Sequence, residues 1–307
     1  MSREPLDRHA LGQRLSRLSN ASLEELSRLT SAPATEHRAR RIGFTGAPGA
    51  GKSTLLGHLI IHRADKGRCG VLAIDPSSPR TGGAILGDRI RMDELEGSSE
   101  FYIRSLASRN TSDGLADNVA EMLDTMDEFG FDEVMLETVG VGQAEYAARL
   151  QVDTLVLVLL PDSGDTVQAM KAGIMEMADI LVVNKADLPG AQKMVTDIAR
   201  IAALTARELG AWQPPILLAS SSRPETIAVV SDAIDSHQAW LGTSRHGEAM
   251  RLRRDRYRLR RILERRLARL IETKHGTYFQ RSLQDQLANL LADAIVELES
   301  PQPRRVP

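Results

Sequence analysis

The chain has 307 residues, 39 Lys and Arg against 41 Asp and Glu, a formal net charge of −2, and 42% hydrophobic but only 4% aromatic residues. This length holds one large α/β domain with appended helices or two modest domains, and the composition excludes a disordered or membrane chain in favour of a globular one with an aliphatic core. The near-neutral balance gives no support to a nucleic-acid or membrane partner, and Cys69, the single cysteine, excludes an intrachain disulfide framework or a multi-cysteine metal site.

The opening residues, MSREPLDRHALGQRL, lack the apolar core of a signal peptide. No segment approaches ~20 uninterrupted apolar residues, so a cytoplasmic protein is expected. Leu11, Leu15 and Leu18 recur at helical spacing, and Ser22 offers a capping box with Glu25. Residues 1–38 therefore read as an N-terminal helical extension without a core of its own.

Over residues 39–242 short apolar runs alternate with amphipathic stretches. RIGFTG, CGVLAID, DEVMLET, TLVLVLL, DILVVNK and PILLAS each have the length and continuous apolarity of a doubly buried strand, and FYIRSLA adds one more. Helical periodicity falls at roughly 51–66, 115–129, 166–178, 190–209 and 224–241. The alternation predicts an α/β fold with a doubly wound, mostly parallel sheet. Cys69, at the head of one run, reads as a small buried hydrophobe.

Residues 243–307 change character. An Arg-rich stretch carries Leu252, Leu259, Ile262, Leu263, Leu267 and Leu270 at helical spacing, and a second helix follows with Leu283, Leu287, Leu290, Leu291 and Ile295. Clustered arginines are the footprint of a nucleic-acid surface. Against that reading, Asp255 and Glu264 interleave and no aromatic platform accompanies them, so a dimerisation helix with a solvated basic face is expected.

The phosphate-binding signature is Gly46, Ala47, Pro48, Gly49, Ala50, Gly51, Lys52 and Ser53, which satisfies GxxxxGK[ST] between a predicted strand and helix. Its glycines let backbone N–H groups face a phosphate, and the helix N-terminus adds the positive end of its dipole. Lys52 is expected to neutralise the β and γ phosphates, Ser53 to ligate Mg²⁺, and Thr54 to reach the α phosphate. Further metal partners belong at the carboxyl ends of neighbouring strands, where Asp75 and Glu137 stand. ETVG, from Glu137 to Gly140, sits where many GTPases carry DxxG, with Gly140 able to donate to the γ phosphate.

Asn184, Lys185 and Asp187 fit NKxD at a strand end. An Asp carboxylate accepts from guanine N1–H and the N2 amino group together, a donor pair that adenine lacks. Asn184 is expected at N7 and the ribose side, with the Lys185 stem covering the base. Ser220 and Ser221, in ASS, stand where a loop would contact guanine O6 through backbone N–H groups.

Together with these motifs, DPSSPRTGGAILGDRIRM, ETVGVGQAE, LLPDSGDTVQAMKAGIMEMAD and VVNKAD resemble the MeaB/ArgK family of SIMIBI-class P-loop GTPases over residues 40–190. The resemblance implies a P-loop NTPase fold and GTP hydrolysis with Mg²⁺. It also implies a chaperone role toward an adenosylcobalamin-dependent acyl-CoA mutase, methylmalonyl-CoA mutase or a relative, and a homodimer through C-terminal helices. Carried over by motif, Asp75 and Asp88 match the family's acids near Mg²⁺, Glu137 the switch II acid, and Asp165 and Lys171 the charged residues of a third switch. Gln143 is the candidate for orienting the attacking water. Slow basal hydrolysis is expected, since no arginine finger stands in cis.

The chain departs from the family pattern at SRNTSDGLA, at ASSSRPETI and before Arg40, near expected partner surfaces. Two other functions fit a P-loop. A metal-delivery GTPase would need Cys/His-rich features, but His37, His58, His62, His246 and His275 are scattered, and Met170, Met175 and Met177 read as core. A small-molecule kinase would need an acceptor pocket and would not need NKAD.

Overall fold

The computed structural model describes residues 4–22, 25–26, 37–76, 100–108, 118–138, 143–161, 173–204, 210–243 and 246–299. Its centre is a seven-stranded sheet of order β3-β2-β4-β1-β5-β6-β7, every pairing parallel. The strands are β1 (Arg40–Thr45), β2 (Cys69–Pro76), β3 (Phe101–Ser108), β4 (Glu133–Glu137), β5 (Thr154–Leu159), β6 (Ile180–Val183) and β7 (Ile216–Leu218). All seven predicted runs are strands, and every residue of β4, β5 and β6 is buried, as helices on both faces of a parallel sheet require.

The helices are α1 (Arg8–Asn20), α2 (Lys52–His62), α3 (Val119–Glu128), α4 (Gln143–Arg149), α5 (Ile174–Met177), α6 (Ala191–Leu204), α7 (Pro224–Thr243), α8 (His246–Glu272) and α9 (Leu283–Glu299). Alternate residues of each strand feed opposite layers. Ile42, Phe44, Met135, Val156 and Val158 pack with Leu55, Leu56 and Leu59 of α2 and Ile227, Val230 and Ile234 of α7. Val134, Leu136 and Leu155 face the other way, onto Met122, Leu123 and Met126 of α3 and Ala147 and Ala148 of α4. Cys69 is buried in the first layer, and burial raises its thiol pKa far above the ordinary range.

The N-terminal extension shares the core of the sheet. Asp7 caps α1 by accepting from the Ala10 N–H at 2.9 Å, and Leu11, Leu15 and Leu18, at most 1% exposed, join the α3 layer. The capping box is present: the Ser22 N–H donates to Glu25 Oε2 at 2.9 Å, and the Glu25 N–H to Ser22 Oγ at 3.3 Å.

In the C-terminal arm part of the expected solvated basic face turns inward, while Arg251, Arg253, Arg256, Arg260 and Arg269 stay exposed. Arg258 reaches Asp124 at 2.5 Å and Glu121 at 3.3 Å, Arg265 donates to Asn118 Oδ1 at 2.9 Å, and Arg254 pairs with Asp153. These arginines of α8 therefore face the body, with Tyr257 buried among them in the α3 layer. The cause lies on α3, where Glu121, Asp124 and Asp127 recur at helical spacing and already hold the buried Arg41 at 2.9 and 2.8 Å. A helix laid on that acidic row turns arginines inward. Leu259, Leu263, Leu287, Leu291 and Ile295 are left 45–61% exposed.

Candidate functional site

The central strand β1 lies between β4 and β5, so the chain leaves its carboxyl end at the switch point of the sheet, where open α/β sheets place their ligand crevice. Residues 46–51 make the turn into α2. Gly46 has φ +142°, and a Cβ there would lie 2.0 Å from the Val158 carbonyl oxygen. Gly51 has φ +84°, and its Cβ would meet Asn184 Nδ2 at 2.5 Å. Only glycine fits either position, which ties the loop's spelling to its close approach to β5 and to the loop after β6.

Lys52 is buried and folds back on the loop, donating from Nζ to the carbonyls of Gly46 at 2.8 Å and Ala47 at 3.1 Å. Ser53 Oγ donates to Glu137 Oε1 at 2.7 Å, joining the first turn of α2 to the end of β4 across 84 residues. A hydroxyl and a carboxylate converging beside a phosphate loop form a hard, all-oxygen donor pair. That pair fits Mg²⁺, which keeps most of its waters and takes few protein ligands.

At the other end of the crevice, the Asn184 side chain braces the phosphate loop, its Nδ2 donating to the Ala50 carbonyl at 2.8 Å and the Gly51 carbonyl at 3.4 Å. The amide nitrogen that was expected beside the base is thus engaged with the loop, leaving Oδ1 for a ligand. Lys185 takes a left-handed φ of +53°, unusual for a non-glycine residue, and the Ala186 N–H donates to the Ala219 carbonyl at 2.9 Å. Asp187 is exposed and accepts from Ser220 Oγ at 2.6 Å, a bond that holds its carboxyl below the usual carboxylate range. Ser220 is itself buried, and its N–H donates to Thr226 Oγ1 at 3.0 Å. Of the two loop amides expected to face guanine O6, that of Ser220 is therefore engaged within the loop, which leaves Ser221 as the candidate.

Asp75 is the penultimate residue of β2, beside Ala107 of β3 at the carboxyl edge of the sheet, and Gln143 is the first residue of α4. The side chains of both, together with Asp88, Gly140, Asp165 and Lys171, lie outside the described residues. Thr54 follows Ser53 in the first turn of α2. Met175 and Met177 pack against the apolar layer around α5, β5 and α6, matching the core reading. Among the described residues, no group of three His, Cys, Asp or Glu side chains is placed to hold a metal ion.

Sequence reasoning passed over Ser222 and Thr226, whose hydroxyls complete the loop behind Asp187. A Ser/Thr cluster at a helix start, SSRPET, was the available signal.

Comparison with known proteins supplies the remaining frame. A family model described as methylmalonyl Co-A mutase-associated GTPase MeaB matches residues 13–275. A putative GTPase of Pyrococcus abyssi is 44% identical over 219 residues, covering 70% of this chain and 67% of that protein. The mouse protein named methylmalonic aciduria type A homolog, mitochondrial, is 36% identical over 204 residues, 64% of this chain and 49% of that one. The chain thus spans between half and two thirds of the length of these relatives. A crystal structure of a LAO/AO transport system kinase superposes with a TM-score of 0.67 at 23% identity, covering 94% of each chain, which shows the shared fold.

Proposed function

The chain belongs to the MeaB family of P-loop GTPases, and we propose that it binds GTP and hydrolyses it to GDP and phosphate, using Mg²⁺. The observation that carries the guanine assignment is the Asp187 carboxylate, fixed by Ser220 and left ionised, at the end of β6. Two acceptor oxygens in one plane suit the paired N1–H and N2 donors of guanine; the N1 acceptor and N6 amine of adenine leave the carboxylate without its donors.

In this reading Lys52 leaves the Gly46 and Ala47 carbonyls and turns to the β and γ phosphates, while the backbone amides around Gly51 receive the phosphate oxygens. Ser53 and Glu137 would hold Mg²⁺, with Asp75 and Asp88 as further acids. Bound there, the ion would neutralise charge on the phosphates. Gly140 donates to the γ phosphate, Gln143 orients the water, and Asp165 and Lys171 link hydrolysis to a partner.

The partner we infer is an adenosylcobalamin-dependent acyl-CoA mutase, methylmalonyl-CoA mutase or a relative, whose cofactor loading the GTPase gates in the cytoplasm. The name of the matching family and that of the mouse relative support this reading. The outward leucines of α8 and α9 support a homodimer through the C-terminal helices. The test is to mix the purified protein with such a mutase in the presence of GTP or a non-hydrolysable analogue. A nucleotide-dependent complex and faster phosphate release are expected; a mutase that neither binds nor accelerates hydrolysis removes the chaperone role.

A further inference from the structure

The loop behind Asp187 contains more hydroxyls than a turn requires, and their bonds run in one direction. Ser220 has a single hydroxyl proton, which the Asp187 carboxylate takes at 2.6 Å, since an ionised carboxylate can only accept. The 2.8 Å contact between Ser220 Oγ and Ser222 Oγ must then be a donation from Ser222, and the Ser222 N–H adds a second at 3.3 Å. Ser220 Oγ therefore receives two hydrogen bonds and gives one. A chain of this kind polarises each successive O–H and strengthens the last bond, the one on Asp187.

The backbone of Ser220 is held as tightly as its side chain. Its N–H donates to Thr226 Oγ1 at 3.0 Å, and its carbonyl accepts from the Arg223 N–H at 3.0 Å. Thr226 sits in the first turn of α7, and its own proton goes to the Arg223 carbonyl at 2.6 Å or the Ser220 carbonyl at 3.2 Å. Arg63, buried at the end of α2, pairs with the buried Glu133 of β4 and with the half-buried Asp235 of α7, at 2.5 and 2.8 Å, and so ties α7 to the body. Ser220 is thus keyed to a helix anchored on the body of the domain.

We propose that Thr226 and Ser222 are positioning residues for guanine selectivity, fixing the Ser220 hydroxyl and through it the plane of the Asp187 carboxylate. The inference rests on the guanine reading above. Two simultaneous contacts, to N1–H and to the N2 amine, require the carboxylate to stay coplanar with the base edge. A single contact tolerates rotation. Hypoxanthine offers N1–H without the amine, so a loosened Asp187 loses affinity for GDP more than for IDP.

The experiment measures dissociation constants for GDP, IDP and ADP on the full chain and on Thr226→Val, Thr226→Ser and Ser222→Ala. The native protein is expected to prefer GDP to IDP by about tenfold or more, as loss of a hydrogen bond to a charged group implies. Thr226→Val should cut that ratio by about threefold or more, Ser222→Ala by about twofold, and Thr226→Ser should restore it. If Thr226 only caps α7, Thr226→Val lowers the melting temperature and leaves the GDP to IDP ratio at the native value, which overturns the proposal. Should Thr226→Val not fold, Ser222→Ala decides alone: a lowered ratio supports the role, an unchanged one removes it. A native protein that binds ADP as tightly as GDP refutes the guanine reading itself, an outcome separate from either variant result.

Discussion

The two ends of the crevice are built on opposite plans. At the phosphate end the polar side chains are paired with the protein itself: Lys52 with the Gly46 and Ala47 carbonyls, Ser53 with Glu137. At the base end Asp187 is exposed and held by the hydroxyl of a buried serine. Ligand at the first end must replace existing bonds, whereas ligand at the second adds to them. Under the proposed function, a site arranged this way would recognise its base with a preformed surface and couple conformational change to the phosphates.

The largest effect should come from breaking the phosphate end. Lys52→Ala removes the one buried cation of the loop, and a fall in the rate of GTP hydrolysis of about 10²-fold or more is expected, read as phosphate release at saturating GTP. Asp187→Asn breaks the base end instead. It should weaken GDP by about 10- to 100-fold while leaving ADP affinity near its native value, measured by competition, because a charged hydrogen-bond acceptor is lost from a contact only guanine makes. If Lys52→Ala altered base selectivity, or Asp187→Asn did not, the two plans would not be separable.

Glu137→Gln sharpens the comparison within the phosphate end. The amide still accepts from Ser53 but carries no charge for Mg²⁺, so the Mg²⁺ concentration needed for half-maximal hydrolysis should rise by about tenfold. Unchanged Mg²⁺ dependence would mean that Glu137 serves only to hold Ser53.

How much of this was legible in the chain follows from how local each feature is. Gly46 to Ser53 are contiguous, and their spacing alone specifies the loop. The contact of Ser53 with Glu137 joins α2, which follows β1, to the end of β4, and β1 and β4 are neighbours only through the sheet order, so the sequence could offer Glu137 merely as a strand-end acid. Ser222 and Thr226 carry no such marker, because hydroxyls near a helix start have many uses. The arginines of α8 were legible as a charged face but not in direction, since the acids that attract them lie on α3, more than a hundred residues away. Leu11, Leu15 and Leu18 announced a helix without announcing that it completes the core of the sheet.

A change far from both ends supplies a control. Leu263→Glu combined with Leu287→Glu places charge on the exposed apolar stripe of α8 and α9. Sedimentation should report pairs for the native protein and single copies for the variant, with GDP affinity within about twofold of native, as expected for distant independent sites. The smallest effect concerns pH. Ser220 holds the Asp187 carboxyl below its ordinary value, so the carboxylate is present above that value and lost only as pH falls through the lowered one. The ratio of GDP to ADP affinity, in which the shared diphosphate cancels, should therefore stay flat from pH 7.5 down to about 5.

The central claim, a guanine-directed GTPase, is tested most directly by comparing Mg²⁺-dependent hydrolysis of GTP and ATP by the purified chain at equal concentrations. GTP should be turned over slowly but measurably, with ATP poorer by about 10²-fold or more. ATP turnover equal to or faster than that of GTP, above all with phosphate appearing on an added small molecule, would contradict it.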